Sequence, residues 1–472
     1  MKIPPDSRAA QIFLDLRRVL ESVSPGEKLP SVRTLCQRYS ASPVTVQTAL
    51  SRLARAGLTV AKSGDGTYKA NLVEQRISLG QTVDYAWQSV ALGSSPLAEE
   101  SVARDHFTPR PELISLSIGY LDESLQPLER LNRAANRALK RPQIWQRLPP
   151  EGSEELRAFF ARALGGDFQA QDTLIVSGGQ AALSSTFRAL VPLGGTIVLE
   201  SPTYFAAISV ARVAGLKTVP VPVDAEGIRP DLLEEALRIS GAKVLYLQPQ
   251  FQNPTGVTLT RSRRVEVLEL ARKYGVFIVE DDYAHDLRLE GESMPPLILS
   301  ALERTVYIRS ITKITAPGLR IAAILAKGPV LGRLKAMRAL DDMFVTGLTQ
   351  EIALELLSSS SWKGHLKRVQ SALKARRDFL ILKVREQLPY LKLSSVPQGG
   401  FSLWYELPAG TDDLEYVRSA ARAGVGISAG SRYFPAEPGG SFVRLTYSGL
   451  PEDLLLEGVS RLKGVGYDSG HV

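Results

Sequence analysis

Lys313 follows the apolar run Thr305–Ile308 by five residues, and Arg320 comes seven residues later, beyond Pro317-Gly318. A primary amine just past a buried run can attack a carbonyl, and a guanidinium fork pairs with phosphate. Three further polar clusters are placed in the same way. Gly178-Gly179-Gln180 follows the run 173–176 and opens a helical pattern, so its amides and the helix dipole suit a phosphate. Asn253-Pro254-Thr255-Gly256 follows the run around Val244–Leu247, and Glu280-Asp281-Asp282-Tyr283 ends the run 276–279. Taken singly, each has an ordinary structural reading. Gly-Gly is more often a turn, Asn-Pro a loop, and acids at a strand's end are more often solvated.

Taken together, a phosphate cradle, an Asn, an Asp, a Lys and an Arg, in that order and each at the end of a strand-like run, form the set that pyridoxal 5'-phosphate requires. The lysine would form a Schiff base with the aldehyde, and an aspartate opposite the pyridine nitrogen would keep it protonated. Arg320 would neutralise the phosphate as a planar fork, with the hydroxyl of Ser310 beside it.

The elements that must position these groups alternate. "TLIVSGG" leads into "QAALSSTFRALV", and "GTIVLES", "AKVLYLQPQ", "VFIVEDD" and "TVYIRS" are short apolar runs separated by helical spacing. Such alternation predicts an α/β domain with a largely parallel sheet, whose ligands bind beyond the carboxyl ends of the strands.

At 472 residues the chain is too long for one ordinary domain, and 44% hydrophobic with 22% charged residues is a soluble globular composition. No apolar run reaches the roughly 18 residues of a membrane span. The start, "MKIPPDSRAAQ", has no apolar signal-peptide core, so a cytoplasmic protein is expected. One cysteine and four histidines argue against a disulfide framework and against a metal site. Residues 1–75 hold eleven Lys or Arg against six acids, so more than half of the net charge of +8 lies in about a sixth of the chain.

That basic front end has its own pattern. Ala9, Ile12, Phe13, Leu16, Val19 and Leu20 recur at helical spacing and Pro25-Gly26 closes the helix. Ser31 is placed to cap a second helix carrying Val32, Leu35 and Cys36, the last read as a small core residue. Ser42 is placed to cap a third, with Pro43 at its first position and Val46, Ala49, Leu50, Leu53 and Ala54 as its stripe. Two β-prone runs then flank Gly64-Asp65-Gly66. Helix, helix, tight turn, helix and basic hairpin outline a winged helix-turn-helix. Thr45 and Gln47 would reach base edges in the major groove, while Arg33, Lys62 and Lys69 would meet phosphates or the minor groove. The plainer reading is a small helical domain with a solvated basic face.

The words of the two halves carry resemblances as well. "KLPSVRTLCQRYSASPVTVQTALSRLARAGLTVAKSGDGTY" resembles the GntR-type winged helix along its full length, with Pro43 and Gln47 where that family often has arginines. The resemblance adds Ser31, Ser42 and Gly66 to the expected DNA contacts. Residues 113–465 resemble fold-type I aminotransferases. By that resemblance Tyr204 stacks on the cofactor ring, Asp281 pairs with the pyridine nitrogen, and Asn253 bonds the phenolic oxygen, which Tyr283 also approaches. Thr312 stands where the lysine motif usually has Ser and Arg309 where it usually has Gly, while Arg444 takes a substrate carboxylate. The fusion of the two resembles the MocR-like regulators.

The expected organisation is therefore a winged helix-turn-helix over 1–71, a linker over 72–112 with a short helix near Trp87, and an aminotransferase-like domain over 113–472. The last divides into a large subdomain of about 155–335, with helices on both faces of its sheet, and a small α+β subdomain of about 336–472 plus 113–150. The resemblance implies a homodimer on operator DNA that senses pyridoxal phosphate, or an amino compound reacting with it. A working aminotransferase with an accessory DNA module, and a scaffold that binds DNA without cofactor, are the competing readings.

Overall fold

The computed structural model describes residues 8–62, 65–70, 85–93 and 112–465. The chain forms two compact units, Met1–Ser94 and Ser95–Val472. Of the expected linker, only 85–93 and Glu112 fall among the described residues, and they include the helix Ala86–Leu92.

The first unit contains helices α1 (Arg8–Ser22), α2 (Val32–Tyr39) and α3 (Pro43–Arg55), followed by the antiparallel hairpin β1 (Thr59–Lys62) and β2 (Gly66–Lys69). Ile12, Leu16 and Leu20 of α1 close on Leu35 of α2 and on Val46, Ala49, Leu50 and Leu53 of α3. This is the predicted stripe except for Ala54, which is exposed, one residue further round the helix from the buried Leu53. Cys36 is half-buried against that core. Ser31 Oγ accepts from Thr34 N–H and Ser42 Oγ from Thr45 N–H, so each serine satisfies a donor that the helix itself leaves unpaired. Ser40, at φ 46°, makes the tight turn between α2 and α3.

The second unit is built on an eight-stranded sheet in the order Thr173–Val176, Ala322–Leu325, Thr305–Ser310, Phe277–Asp282, Val244–Leu247, Thr196–Ser201, Lys217–Asp224, Gly227–Ile228. The five strands from Thr305–Ser310 to Lys217–Asp224 are mutually parallel; Ala322–Leu325 runs against both of its neighbours, and Gly227–Ile228 runs against Lys217–Asp224. Alternate residues of one strand enter different cores. Ile197 and Leu199 pack with Leu183, Phe187 and Ile208 on one face, whereas Val198 packs with Leu233, Leu237 and Val267 on the other. Helices therefore cover both faces, and the strand ends gather the polar clusters on one edge.

A second, antiparallel sheet joins Lys392–Leu393, Ser402–Glu406, Phe442–Thr446 and Ser428–Ala429. The segment from residue 112 onward belongs with it: Ile114–Ser115 pairs with Val425–Gly426, and Thr446 N–H donates to Leu116 O at 2.7 Å. The long helix Trp362–Gln387 packs Val369, Leu373 and Leu380 into the same core as Leu403 and Leu445.

Candidate functional site

In the first unit the amino-terminal turn of α3 presents Val44 and Gln47 to solvent, with Thr45 half-buried beside them. Thr45 Oγ1 is 2.8 Å from Ser42 Oγ, which fixes its rotamer. Arg33 is exposed on α2, and Lys62 is exposed on the hairpin with its Nζ 4.7 Å from the centre of the Tyr68 ring. The hairpin is stiffened at its tip: Lys28 Nζ pairs with Asp65 at 2.8 Å, and Tyr68 donates to the same carboxylate at 2.6 Å. Gly66, at φ +144°, lies so close to Lys28 that a Cβ there would come within 2.7 Å of its Cε. Lys69 differs from expectation. Its ammonium donates to the Leu20 and Val23 carbonyls, both at 2.7 Å, and so holds the end of α1 instead of facing outward.

In the second unit the sequence-distant clusters converge. Gly178, at φ +92°, precedes the helix Gly179–Leu190, and a Cβ on it would stand 2.6 Å from Arg320 Nη2. Arg320, itself at φ +53°, donates to Ser177 O at 3.2 Å. A Cβ on Gly179 would meet Ser310 Cβ at 3.8 Å, and Gln180 sits half-buried in the first turn of that helix. Ser310 Oγ accepts from Thr312 N–H at 3.3 Å. The Thr312 hydroxyl is buried with no hydrogen-bond partner among the described residues. A helix N-terminus and a guanidinium thus meet at a spot that only glycine leaves open, with Ser310 beside it.

Lys313 Nζ donates to Gly119 O at 2.7 Å and lies 4.1 Å from the Tyr120 ring centre and 5.1 Å from that of Phe401. Burial, reinforced by the charges of Arg444 and Arg320 and opposed by Asp281, lowers its pKa to about 7. The three acids at the end of Phe277–Asp282 are all buried, against the solvated reading of such clusters. Glu280 faces the amides of Leu297 and Ile298, while Asp282 pairs with His285 and Tyr307. Asp281 Oδ2 accepts from Tyr246 at 2.8 Å and from Gln248 Nε2 at 2.9 Å. Burial pushes its carboxyl up to about 6, with those two bonds and Lys313 pulling the other way.

Arg444 is 3% exposed; Nη1 donates to Asn253 Oδ1 at 3.0 Å and Nη2 to Ser117 O at 2.7 Å. Its Nε is buried without a partner among the described residues. Tyr204 packs edge-on to Phe205 at 5.1 Å, and burial first, then Tyr120 and Asp281, raises its phenol pKa. The Tyr283 hydroxyl donates to the Phe251 carbonyl at 2.5 Å. Sequence reasoning missed Gly119, Tyr120, Tyr246, Gln248 and Phe401. Tyr246 and Gln248 had a signal, since their period-2 spacing places them on one side of their strand; Tyr120 had none.

A low-pKa amine, a carboxylate with a free oxygen and a phosphate cradle fit pyridoxal phosphate. Residues 111–462 match the family "Aminotransferase class I and II", and residues 8–68 match "Bacterial regulatory proteins, gntR family". The uncharacterized HTH-type transcriptional regulator YdfD of Bacillus subtilis is 29% identical over 447 residues, covering 93% of this chain and 91% of its own. YisV of the same organism, also an uncharacterized HTH-type transcriptional regulator, is 30% identical over 387 residues, covering 80% and 79%. The crystal structure of LysN, an alpha-aminoadipate aminotransferase from Thermus thermophilus complexed with N-(5'-phosphopyridoxyl)-L-leucine, superposes with a TM-score of 0.71 at 30% identity, covering 75% of this chain and 91% of that one. The chain belongs to the aminotransferase class I and II family and, with a gntR-family helix-turn-helix ahead of that domain, has the architecture of the MocR-like transcriptional regulators.

Proposed function

We propose that this chain is a cytoplasmic, DNA-binding transcriptional regulator that holds pyridoxal 5'-phosphate at Lys313 and responds to it, or to an amino compound that reacts with it. The observation that carries the reading is one chain bearing both a gntR-family helix-turn-helix and a half-buried lysine, its pKa lowered to about 7, within the electrostatic reach of Asp281 and of Arg320 beside Gly178. In this reading residues 1–71 form the DNA module and 72–112 the tether. When bound, the cofactor supplies an electrophilic aldehyde and an electron-withdrawing ring.

The protein's own groups do the rest. Lys313 is half neutral near pH 7, so its nitrogen lone pair is available for attack. Gly178, Gly179, Gln180, Ser310, Thr312 and Arg320 would bind the phosphate. Asp281 would keep the proton on the ring nitrogen, Tyr204 would lie against the ring, and Asn253, with Tyr283 behind it, would border the phenolic oxygen. Arg444 would take an effector carboxylate. An effector that favours one domain arrangement shifts DNA affinity by its differential binding to the two states. The test is operator binding by full-length protein with and without pyridoxal phosphate; identical affinity in both conditions refutes the sensing role.

Thr45 and Gln47 are assigned to base edges, and Ser31, Arg33, Ser42, Lys62 and Gly66 to the DNA backbone. Thr45→Ala with Gln47→Ala is expected to weaken operator binding by about 1–3 kcal/mol per lost base contact, with little loss on random DNA. Fluorescence anisotropy on both DNAs checks it, and equal losses would take α3 out of the groove.

We also propose a homodimer. Trp145 is 68% and Met343 59% exposed, and with Ile144, Phe344 and Leu348 they line an apolar groove of about 430 Å³ that a second copy would cover. Trp145→Glu with Met343→Glu should shift the mass in light scattering to that of a monomer, and an unchanged dimer would place the interface elsewhere. A second reading, transamination, is favoured by the presence of Lys313, Asp281, Asn253 and Arg444 together. Sustained turnover of an amino acid with a 2-oxo acid would establish it.

A further inference from the structure

Gln248 is the first residue past the carboxyl end of strand Val244–Leu247, which lies between Phe277–Asp282 and Thr196–Ser201. The strand is buried along its whole length, and Gln248 is only 2% exposed. An aliphatic side chain would fill such a place at no desolvation cost, so a buried primary amide needs both of its ends paired. Both are paired. Nε2 donates to Asp281 Oδ2 at 2.9 Å, and Oε1 accepts from Asn253 N–H at 3.0 Å. The Gln248 backbone N–H at the same time donates to Glu200 Oε2 at 2.9 Å.

We propose that Gln248 is a positioning residue of the cofactor site, one amide that sets the Asp281 carboxylate and the Asn253 loop in a common frame. The inference rests on the reading of this pocket as a pyridoxal phosphate site. Its reach follows from the next bond along, because Asn253 Oδ1 accepts from Arg444 Nη1 at 3.0 Å. Asp281, Gln248, Asn253 and Arg444 therefore form one line, from the carboxylate that would face the ring nitrogen to the guanidinium that would face a ligand carboxylate. Gln248 and Tyr246 both donate to Oδ2 of Asp281, and Oδ1 carries no hydrogen bond among the described residues. Fixing one oxygen leaves the other aimed and free to accept a ring N–H. Donors to the anionic form also counter the burial that raises this carboxyl.

Two variants separate this role from simple packing. Gln248→Met keeps length and volume and removes both side-chain bonds. Gln248→Glu keeps the acceptor for Asn253 N–H and can donate to Asp281 only while its new carboxyl is protonated. Full-length proteins are titrated with pyridoxal phosphate from about pH 6 to about pH 9, following the visible band, and are melted with and without it. Gln248→Met is expected to bind at least roughly tenfold more weakly, the loss of a bond to a charged group, and to shift the pH midpoint of the band. Gln248→Glu is expected to behave like wild type at the acid end and like Gln248→Met at the alkaline end. If Gln248→Met fails to fold, that pH contrast in Gln248→Glu carries the test alone. Unchanged affinity and midpoint in the variants, with only the melting temperature moved, would reduce Gln248 to packing. No band in wild type would overturn the cofactor reading and this inference together, whereas a normal wild-type band with unaltered variants overturns the inference alone.

Discussion

Protein carrying Lys313→Ala is expected to show no visible band beyond that of free pyridoxal phosphate, and to retain no cofactor after borohydride reduction, while wild type shows the band and the label. The expectation comes from the electrostatics of one amine. Burial first, then Arg444 and Arg320, bring Lys313 down from 10.5 to about 7 against the pull of Asp281. At neutral pH its neutral fraction therefore exceeds that of a solvated lysine by a factor on the order of 10³. Attachment should slow as pH falls below about 7, because protonation removes the lone pair. Removing the side chain should not unfold the domain. A lysine whose folded pKa is lowered makes stability rise with pH between its folded and unfolded values, so below that window its charge is a cost that Lys313→Ala removes. Far-ultraviolet circular dichroism and the melting temperature check the fold. A band that survives in Lys313→Ala would move the attachment to another amine and dismantle the assignment of the site.

The parts of this molecule written in local sequence were legible, and those made by closure of the chain were not. Ser31 and Ser42 cap helices because a serine oxygen next to a free helix N–H needs nothing from elsewhere in the fold. The runs ending at Val176, Asp282 and Ser310 became strands of one sheet because apolar β-prone residues have few other uses at that length. Lys69 could not be read from its neighbours, since its partners are carbonyls 46 and 49 residues away at the end of α1. Glu280, Asp281 and Asp282 end a strand at a position where acids are usually wet, and only the three-dimensional arrangement supplies the amides, phenols and His285 that let them stay dry. Lys313 was found by its motif, but the carbonyl that holds it, Gly119 O, comes from 194 residues upstream. Tyr120 arrives by the same segment and was missed for the same reason.

Glu200→Gln is expected to make the protein more stable at pH 8 than wild type and to leave it nearly unchanged at pH 5. Glu200 is 3% exposed, and burial lifts its carboxyl from 4.5 to about 8, with the Gln248 amide and Gln252 opposing and Asp281 adding to the rise. A carboxyl raised on folding binds its proton more tightly in the folded state. Stability is therefore lost as pH climbs from the unfolded value, about 4.5, to the folded one, about 8, and is constant outside that window. Full expression of such a shift has an upper limit of about 5 kcal/mol at 1.36 kcal/mol per unit, and relaxation of the site will return part of it. Glutamine keeps the carbonyl that accepts from Gln248 N–H and cannot ionise, so the difference between wild-type and variant denaturation curves isolates this one group from all the others that titrate. A difference that grows from pH 5 to pH 8 means that Glu200 is neutral in the working protein, so that Asp282 and not Glu200 is the neighbouring negative charge on Asp281, the proposed partner of the ring nitrogen. A flat difference means that Glu200 ionises in place, so that Asp281 would meet a further negative charge besides Asp282 and, in the proposed site, hold the ring proton under a different balance.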